Sequence, residues 1–277
     1  TSGNDADLAI GADGLPVFSL RGSGGGGLWV RHCSDPACLT STTTTVHAGS
    51  FGDDTSIAIG ADGLPIVTHR NTSNGNLWVA HCSDLLCSAS VQTELDGTGN
   101  DIQLNRAAIA IGSDGLPVIS YEDYPAPLSL WVAHCTNLAC TSFTTSQVDN
   151  NANGAGTDSS IALGADGLPI ISYRAGFPST LWVAHCNDNL CAGATRTEVF
   201  TVNQPGANSS ITIGSDGLAV ISHGSNTSAD LRVTHCSNVA CTSATTVTAD
   251  SVGTVGFNPS IAIGPDGLPV VSYQAQV

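Results

Sequence analysis

Apolar residues alternate with small or polar ones in some stretches of this chain and run almost unbroken in others, and the two patterns follow each other in a fixed order. In Ser160 to Tyr173, Ile161 and Leu163 alternate with small residues, Gly164-Ala165-Asp166-Gly167 breaks the pattern, and Leu168 to Ile171 is apolar nearly throughout. This reads as a hairpin whose second strand is buried on both faces. Asp tolerates the tight turn by bonding its own backbone, and Gly167 takes positive φ without a Cβ penalty. Pro169 opens the second strand, where its missing N–H is harmless. A third strand follows in Leu181 to Cys186, then a short cysteine loop, then a Thr-rich, β-branched fourth strand such as Thr42 to Val46 or Thr195 to Val199. No segment has apolar spacings of three and four together with caps, so no helix is predicted.

The Asp-Gly-Leu of the turn recurs at Asp13, Asp62, Asp114, Asp166, Asp216 and Asp266, at spacings of 49, 52, 52, 50 and 50 residues. His-Cys-x4-Cys follows every copy except the last, beginning at His32, His81, His134, His185 and His235. Four short antiparallel strands in a period near fifty predict an all-β fold, a β-propeller of five complete four-stranded blades plus a two-stranded sixth. Solenoid repeats are usually shorter, and two-sheet sandwiches need roughly 100 residues each. The expected organisation is a single domain over 1–277, with repeats near 5–54, 55–106, 107–158, 159–208 and 209–258 and a half repeat at 259–277.

Charge narrows the partners. The chain has 23 acidic and seven basic residues, all of the latter Arg, for a formal net charge of −16. That field repels phosphate backbones and anionic membrane surfaces, which argues against nucleic acid. No apolar stretch approaches the roughly 20 residues of a membrane helix, so membrane insertion is not expected. Ten cysteines in five equal pairs point to an oxidising compartment. The polar start at Thr1, with no charged segment leading into an apolar one, reads as an extracellular protein whose signal has been removed.

The cysteine pairs resemble zinc ligands at first sight. Neighbours on a strand point to opposite faces, however, so His185 and Cys186 do not share one ion easily. Disulfides are the better reading: Cys33–Cys38, Cys82–Cys87, Cys135–Cys140, Cys186–Cys191 and Cys236–Cys241, each clamping the hairpin of the third and fourth strands. The five histidines are read as buried imidazoles bonded to a neighbouring blade. Trp29, Trp78, Trp131 and Trp182 share one strand phase and are read as packing between blades, with Arg232 standing at that phase in the fifth repeat.

Candidate chemistry belongs where copies differ, in the connections after the second and fourth strands. Arg21, Arg70 and Arg174 stand at one phase after the second strand and are candidates to clamp a carboxylate or sulfate, or to balance nearby carboxylates. Sialidases use an arginine triad, but their Ser-x-Asp-x-Gly-x-Thr-Trp box and nucleophile pair are absent here. Asp149, Asn151 and Asn153, with Asp158 further on, match the first half of a calcium loop. Ser160 replaces the closing Glu, such Asn/Asp/Gly loops also form without metal, and no cofactor is expected. Asn71, Asn208 and Asn226 lie in glycosylation sequons.

The pattern Ser-Ile-Ala-Ile-Gly-x-Asp-Gly-Leu-Pro-Val-x-Ser-Tyr, then Leu-Trp-Val-Ala-His-Cys, then a Thr-rich strand, resembles the tandem propeller repeats of large secreted bacterial proteins. The resemblance covers nearly the whole chain and implies the propeller fold; the cysteine pairs depart from it. No asymmetric acid, base and nucleophile cluster rises above the repeat background. The expectation is therefore a non-enzymatic structural or adhesive protein that associates with copies of itself, into a filament or a dimer, through the unpaired edge of its last half blade. A lectin-like propeller binding surface glycans with its variable loops is the alternative, and a glycoside hydrolase comes third.

Overall fold

Each Asp-Gly turn closes a hairpin as the alternation requires. The leucine N–H two residues on donates to the aspartate Oδ1 in all six copies, from Leu15 N on Asp13 to Leu268 N on Asp266. The computed structural model describes residues 4–23, 26–96, 107–123, 128–201, 205–225 and 230–276. Among them it contains twenty-two strands and no helix.

The strands form antiparallel sheets in sequence order. The first holds β1 (Asn4–Ile10), β2 (Pro16–Arg21), β3 (Leu28–Cys33) and β4 (Ser41–His47), and the second holds β5 (Phe51–Ile59), β6 (Pro65–Asn71), β7 (Leu77–Cys82) and β8 (Ser90–Asp96). The third holds β9 (Ala108–Ile111), β10 (Pro117–Asp123), β11 (Ser129–Cys135) and β12 (Phe143–Asp149), and the fourth β13 (Ala155–Leu163), β14 (Pro169–Ala175), β15 (Thr180–Cys186) and β16 (Ala194–Phe200). The fifth holds β17 (Pro205–Ile213), β18 (Ala219–Ser225), β19 (Leu231–Cys236) and β20 (Ala244–Asp250), and β21 (Thr254–Ile263) and β22 (Pro269–Gln276) form a two-stranded sixth. These are five complete propeller blades and a partial one. Proline opens β2, β6, β10, β14 and β22, at the strand start where no ladder bond is lost.

All five expected disulfides are formed, each with a sequence separation of 5. Closing so short a loop contributes about 2 kcal/mol by chain entropy. The bridges also fill space. Cys82 and Cys87 are buried against Val17, Leu28 and Val30 of the first sheet, and Cys236 and Cys241 against Ile170, Leu181 and Val183 of the fourth. The core thus lies between consecutive sheets, and the second strands there are buried along most of their length. The exception corrects the sequence reading: in β22, Val270 is 61% exposed and Tyr273 39%, because no further sheet packs on it among the described residues.

The histidines of the third strands also depart from expectation. Their Nε2 atoms lie 2.8–3.0 Å from the Oδ2 of the turn aspartate in their own blade, pairing His32 with Asp13, His81 with Asp62, His134 with Asp114, His185 with Asp166 and His235 with Asp216. The two sequence signatures are therefore one device, in which one carboxylate oxygen caps the turn and the other faces the imidazole, in hydrogen-bond geometry at His81 and His134.

Two compact units make up the chain, Thr1–Ile119 with Ala133–Thr145, and Ser120–Val132 with Ser146–Val277. Within each, the first strands of consecutive sheets pack together, and hydroxyls join the sheets. Ser19 Oγ lies 3.0 Å from Thr55 Oγ1, Ser120 Oγ 3.1 Å from Ser159 Oγ, and Ser172 Oγ 2.9 Å from Ser209 Oγ. One residue further on, Ser56, Ser160 and Ser210 accept the N–H of Ile109, Ile211 and Ile261 from the next first strand.

Carboxylate and guanidinium clusters at the variable ends

At the end opposite the Asp-Gly turn, four of the six first strands, β5, β13, β17 and β21, carry near their start a glycine followed two residues later by Asp or Asn. Gly52, Gly156 and Gly256 have φ of +91°, +99° and +82° and lie against the backbone at the start of the preceding sheet's third strand. A Cβ on Gly52 would lie 2.5 Å from Gly27 O, and one on Gly156 2.9 Å from Leu130 Cα. Asp54, Asp158, Asn208 and Asn258 then take φ of 48°, 54°, 53° and 45°, the left-handed conformation that Asp and Asn adopt more readily than other side chains. Each lies where the register to the second strand slips. A bulge of this kind re-aims side chains.

In the first unit this brings Arg21 and Arg70 onto one carboxylate. Arg21 Nη1 donates to Asp53 Oδ1 at 2.7 Å and Arg70 Nη2 to Asp53 Oδ2 at 2.6 Å, while Arg70 Nη2 also lies 3.0 Å from Asp54 Oδ2. Two guanidinium groups and two carboxylates cancel in charge, and charge-assisted pairs this short hold the network rigid. Beside it, His47 stacks on Phe51 at 3.4 Å, and His69 and Trp78 meet them edge-on. Burial holds His69 neutral, its pKa lowered to about 3, and burial also lowers that of His47.

In the second unit the equivalent place carries Glu122, Thr157, Asp158 and Arg174. Glu122 is 1% exposed, and its Oε1 accepts the Thr157 hydroxyl at 2.8 Å. Arg174 stands 3.7 Å from Asp158, a looser pair than those of the first unit. Thr157 and Arg174 line a cleft of about 320 Å³ together with Asn153, Phe177, Pro178 and Ser179. The arginines predicted from sequence are thus divided: Arg21 and Arg70 share Asp53, and Arg174 pairs with Asp158 in the other unit.

The four residues of the partial calcium loop are engaged in three different places. Asp149, almost fully buried, accepts Tyr173 Oη at 2.8 Å and Arg196 Nη1 at 2.6 Å. Burial, with Asp149 beside it, raises the Tyr173 phenol above its ordinary range. Asn151 Oδ1 accepts Asn153 N–H, and Asp158 faces Arg174. Among the described residues no three His, Cys, Asp or Glu side chains gather as a metal site. Of the sequons, Asn71 caps its own turn by accepting Ser73 N–H, Asn208 sits in the bulge, and Asn226 lies outside the described residues.

Trp78 packs against His47 of the preceding sheet, and Arg232 replaces it in the fifth sheet by laying its guanidinium 5.1 Å from the Phe200 ring while bonding Asp230 at 3.1 Å. Stacking on an aromatic face is something a planar guanidinium does well. Sequence reading passed over Asp53, Glu122 and Thr157. For Asp53 and Thr157 the signal is Gly-x-Asp/Asn two residues ahead of the Ser-Ile of the repeat, present as Gly52-Asp53-Asp54, Gly156-Thr157-Asp158, Gly206-Ala207-Asn208 and Gly256-Phe257-Asn258, and for Glu122 it is the phase of Arg21, Arg70 and Arg174 after the second strand.

No family model and no curated protein matches the sequence. Solved structures do match. A protein of unknown function from Dyadobacter fermentans is 14% identical with a TM-score of 0.72, over 99% of this chain and 91% of that one. An α-L-arabinanase of Penicillium chrysogenum complexed with arabinobiose is 12% identical with a TM-score of 0.69, over 98% and 88%. An α-L-arabinofuranosidase of Fusarium graminearum in complex with an iminosugar inhibitor is 11% identical, also with a TM-score of 0.69, over 97% and 91%.

These likenesses establish the fold, and they overturn two linked expectations, that the protein is no enzyme and that its role is a non-enzymatic structural one. Carbohydrate-active enzymes share this propeller over nearly its whole length. The half blade is held to the fifth sheet by Tyr273 Oη, which donates to Asp250 Oδ2 at 2.6 Å. The chain is a β-propeller similar in fold to arabinan- and arabinoside-directed enzymes.

Proposed function

We propose that this protein is a carbohydrate-active propeller that cleaves glycosidic bonds, with arabinofuranosyl glycans as the first substrate class. The observation that carries the reading is the cleft of the second unit, lined by Arg174 and Thr157 at the variable end of the fourth sheet, with Asp158 3.7 Å from the Arg174 guanidinium and Glu122 one hydroxyl behind Thr157. Glycoside hydrolysis needs two carboxyl groups, one to deliver a proton to the leaving oxygen and one to stabilise or attack the sugar. In this reading Asp158 is the carboxylate beside the bound sugar, Glu122 is its partner, and Thr157 and Arg174 hold the two in place. The neighbours bearing arabinanase and arabinofuranosidase names support the substrate class, and the five disulfides support an oxidising, extracellular setting. Within that setting we assign the repeats to the tandem propeller type of secreted bacterial proteins, and the five and a half repeats to one domain.

The test is release of reducing sugar from arabinan, arabinobiose and aryl arabinofuranosides by the purified chain. Turnover is expected, with Asp158→Asn lowering kcat by about 100-fold or more. No turnover on any of these substrates overturns the hydrolase. Binding of the same sugars without turnover would instead select a lectin-like propeller.

A further inference from the structure

Phe177 is 90% exposed although it is large and apolar, and it lies on the rim of the cleft that Arg174 lines. It forms no ring contact among the described residues, unlike Phe51 and Phe200, which are packed on histidines. On the same cleft the guanidinium of Arg174 has a side chain 28% exposed and stands 3.7 Å from its carboxylate, whereas Arg70 is 16% exposed and bonded at 2.6 Å. Five fixed donors so loosely paired leave directions open to a ligand. Asn153 and Ser179 add an amide and a hydroxyl.

We propose that this cleft is a binding subsite for one or two neutral sugar rings, with Phe177 stacking on the apolar face of a ring and Arg174 and Asn153 reading adjacent hydroxyls. This rests on the carbohydrate reading above and names the residues and charge class that it leaves open. The volume of about 320 Å³ lies at the small end of ligand pockets, roughly 300–1,000 Å³, which suits a mono- or disaccharide. Neutrality follows from charge. Arg174 is the one charged residue in the lining, but Asp158 beside it and Glu122 behind Thr157 outnumber it, and the whole chain carries −16, so a uronate would meet a repulsive field. A ring platform paired with a bidentate polar group is how a site holds a molecule that is apolar on its faces and polar on its edge.

Calorimetric titration of arabinobiose and of digalacturonate into the full chain tests this, with Phe177→Ala, Arg174→Gln and the distant control Leu39→Ala. Arabinobiose is expected to bind wild type and Leu39→Ala alike, about tenfold more weakly to Phe177→Ala at unchanged melting temperature, and about tenfold more weakly to Arg174→Gln. Digalacturonate is expected to bind more weakly than arabinobiose throughout. Equal affinity in Phe177→Ala, or preference for the acidic sugar, overturns the subsite. If arabino-oligosaccharides are cleaved while Phe177→Ala leaves KM unchanged, the subsite falls and the hydrolase stands; if no neutral sugar is bound or cleaved, both fall.

Discussion

Two serine hydroxyls that look interchangeable in sequence differ in what they meet. Ser172 and Ser222 occupy the same place in β14 and β18, and both are fully buried. Ser172 Oγ bonds Ser209 in the next sheet, whereas the place facing Ser222 is held by Pro259, and Ser222 Oγ has no partner. An unpaired buried hydroxyl bears its desolvation cost with no hydrogen bond to offset it. Ser172→Ala is therefore expected to lose about 1 kcal/mol of stability, and Ser222→Ala to lose none or to gain, as read from urea unfolding midpoints. Equal losses would overturn the assignment. A similar exchange joins strand ends: Asp149 and Asp250 each accept a tyrosine hydroxyl from the next sheet, and where Phe200 or His47 stands instead, the partner is His223 or His69. The residue types follow each other because a carboxylate needs a donor while an aromatic ring needs only a packing surface.

At the scale of an element, the start of each first strand is where the architecture is least tolerant. Gly156 combines a left-handed φ with close approach to Leu130, while Gly253 has a φ of +81° and nothing within 4 Å of an added Cβ. Gly253→Ala is expected to cost about 1 kcal/mol, the conformational penalty alone. Gly156→Ala adds a backbone clash and is expected to cost about 2 kcal/mol or more, measured by thermal unfolding. If the two cost the same, sheet-to-sheet approach at Gly156 is not limiting. Because Thr157 and Asp158 follow immediately, the same glycine sets where the cleft's threonine and the carboxylate beside Arg174 sit. The strands begin before the repeat boundaries read from sequence, β13 at 155 rather than 159 and β17 at 205 rather than 209, since the bulge lets the ladder continue past the irregular Gly-x-Asp/Asn step.

For the molecule as a whole, stability should depend on pH through imidazoles that the fold keeps neutral. Burial lowers the pKa of His69 to about 3 and of His223 to about 4, against 6.5 for the free group. A base depressed in the folded state leaves the unfolded chain holding more protons between those values and 6.5, so stability is full above pH 6.5 and falls as pH drops through that window. The slope is up to about 1.4 kcal/mol per pH unit for each histidine. Denaturation midpoints at pH 7, 6 and 5 are expected to decline, and the double variant His69→Gln, His223→Gln to flatten the decline; an unchanged slope would overturn the assignment. Much of the fold was legible beforehand. The strand count, hairpins, proline positions and disulfides follow from local periodicity, turn chemistry and cysteine spacing, which act over a few residues and repeat six times. The sites were not legible, because their members come from different repeats: Arg21 and Asp53, or Glu122 and Thr157, meet only when one sheet packs on the next. Sequence alone determined a repeating β architecture in an acidic, disulfide-linked chain. Tertiary structure decided which arginines are spent on carboxylates, that the turn aspartates hold the histidines of their own blades, and that one cleft keeps an exposed phenylalanine beside a loosely paired guanidinium, since packing between sheets sets those distances and no local pattern encodes them.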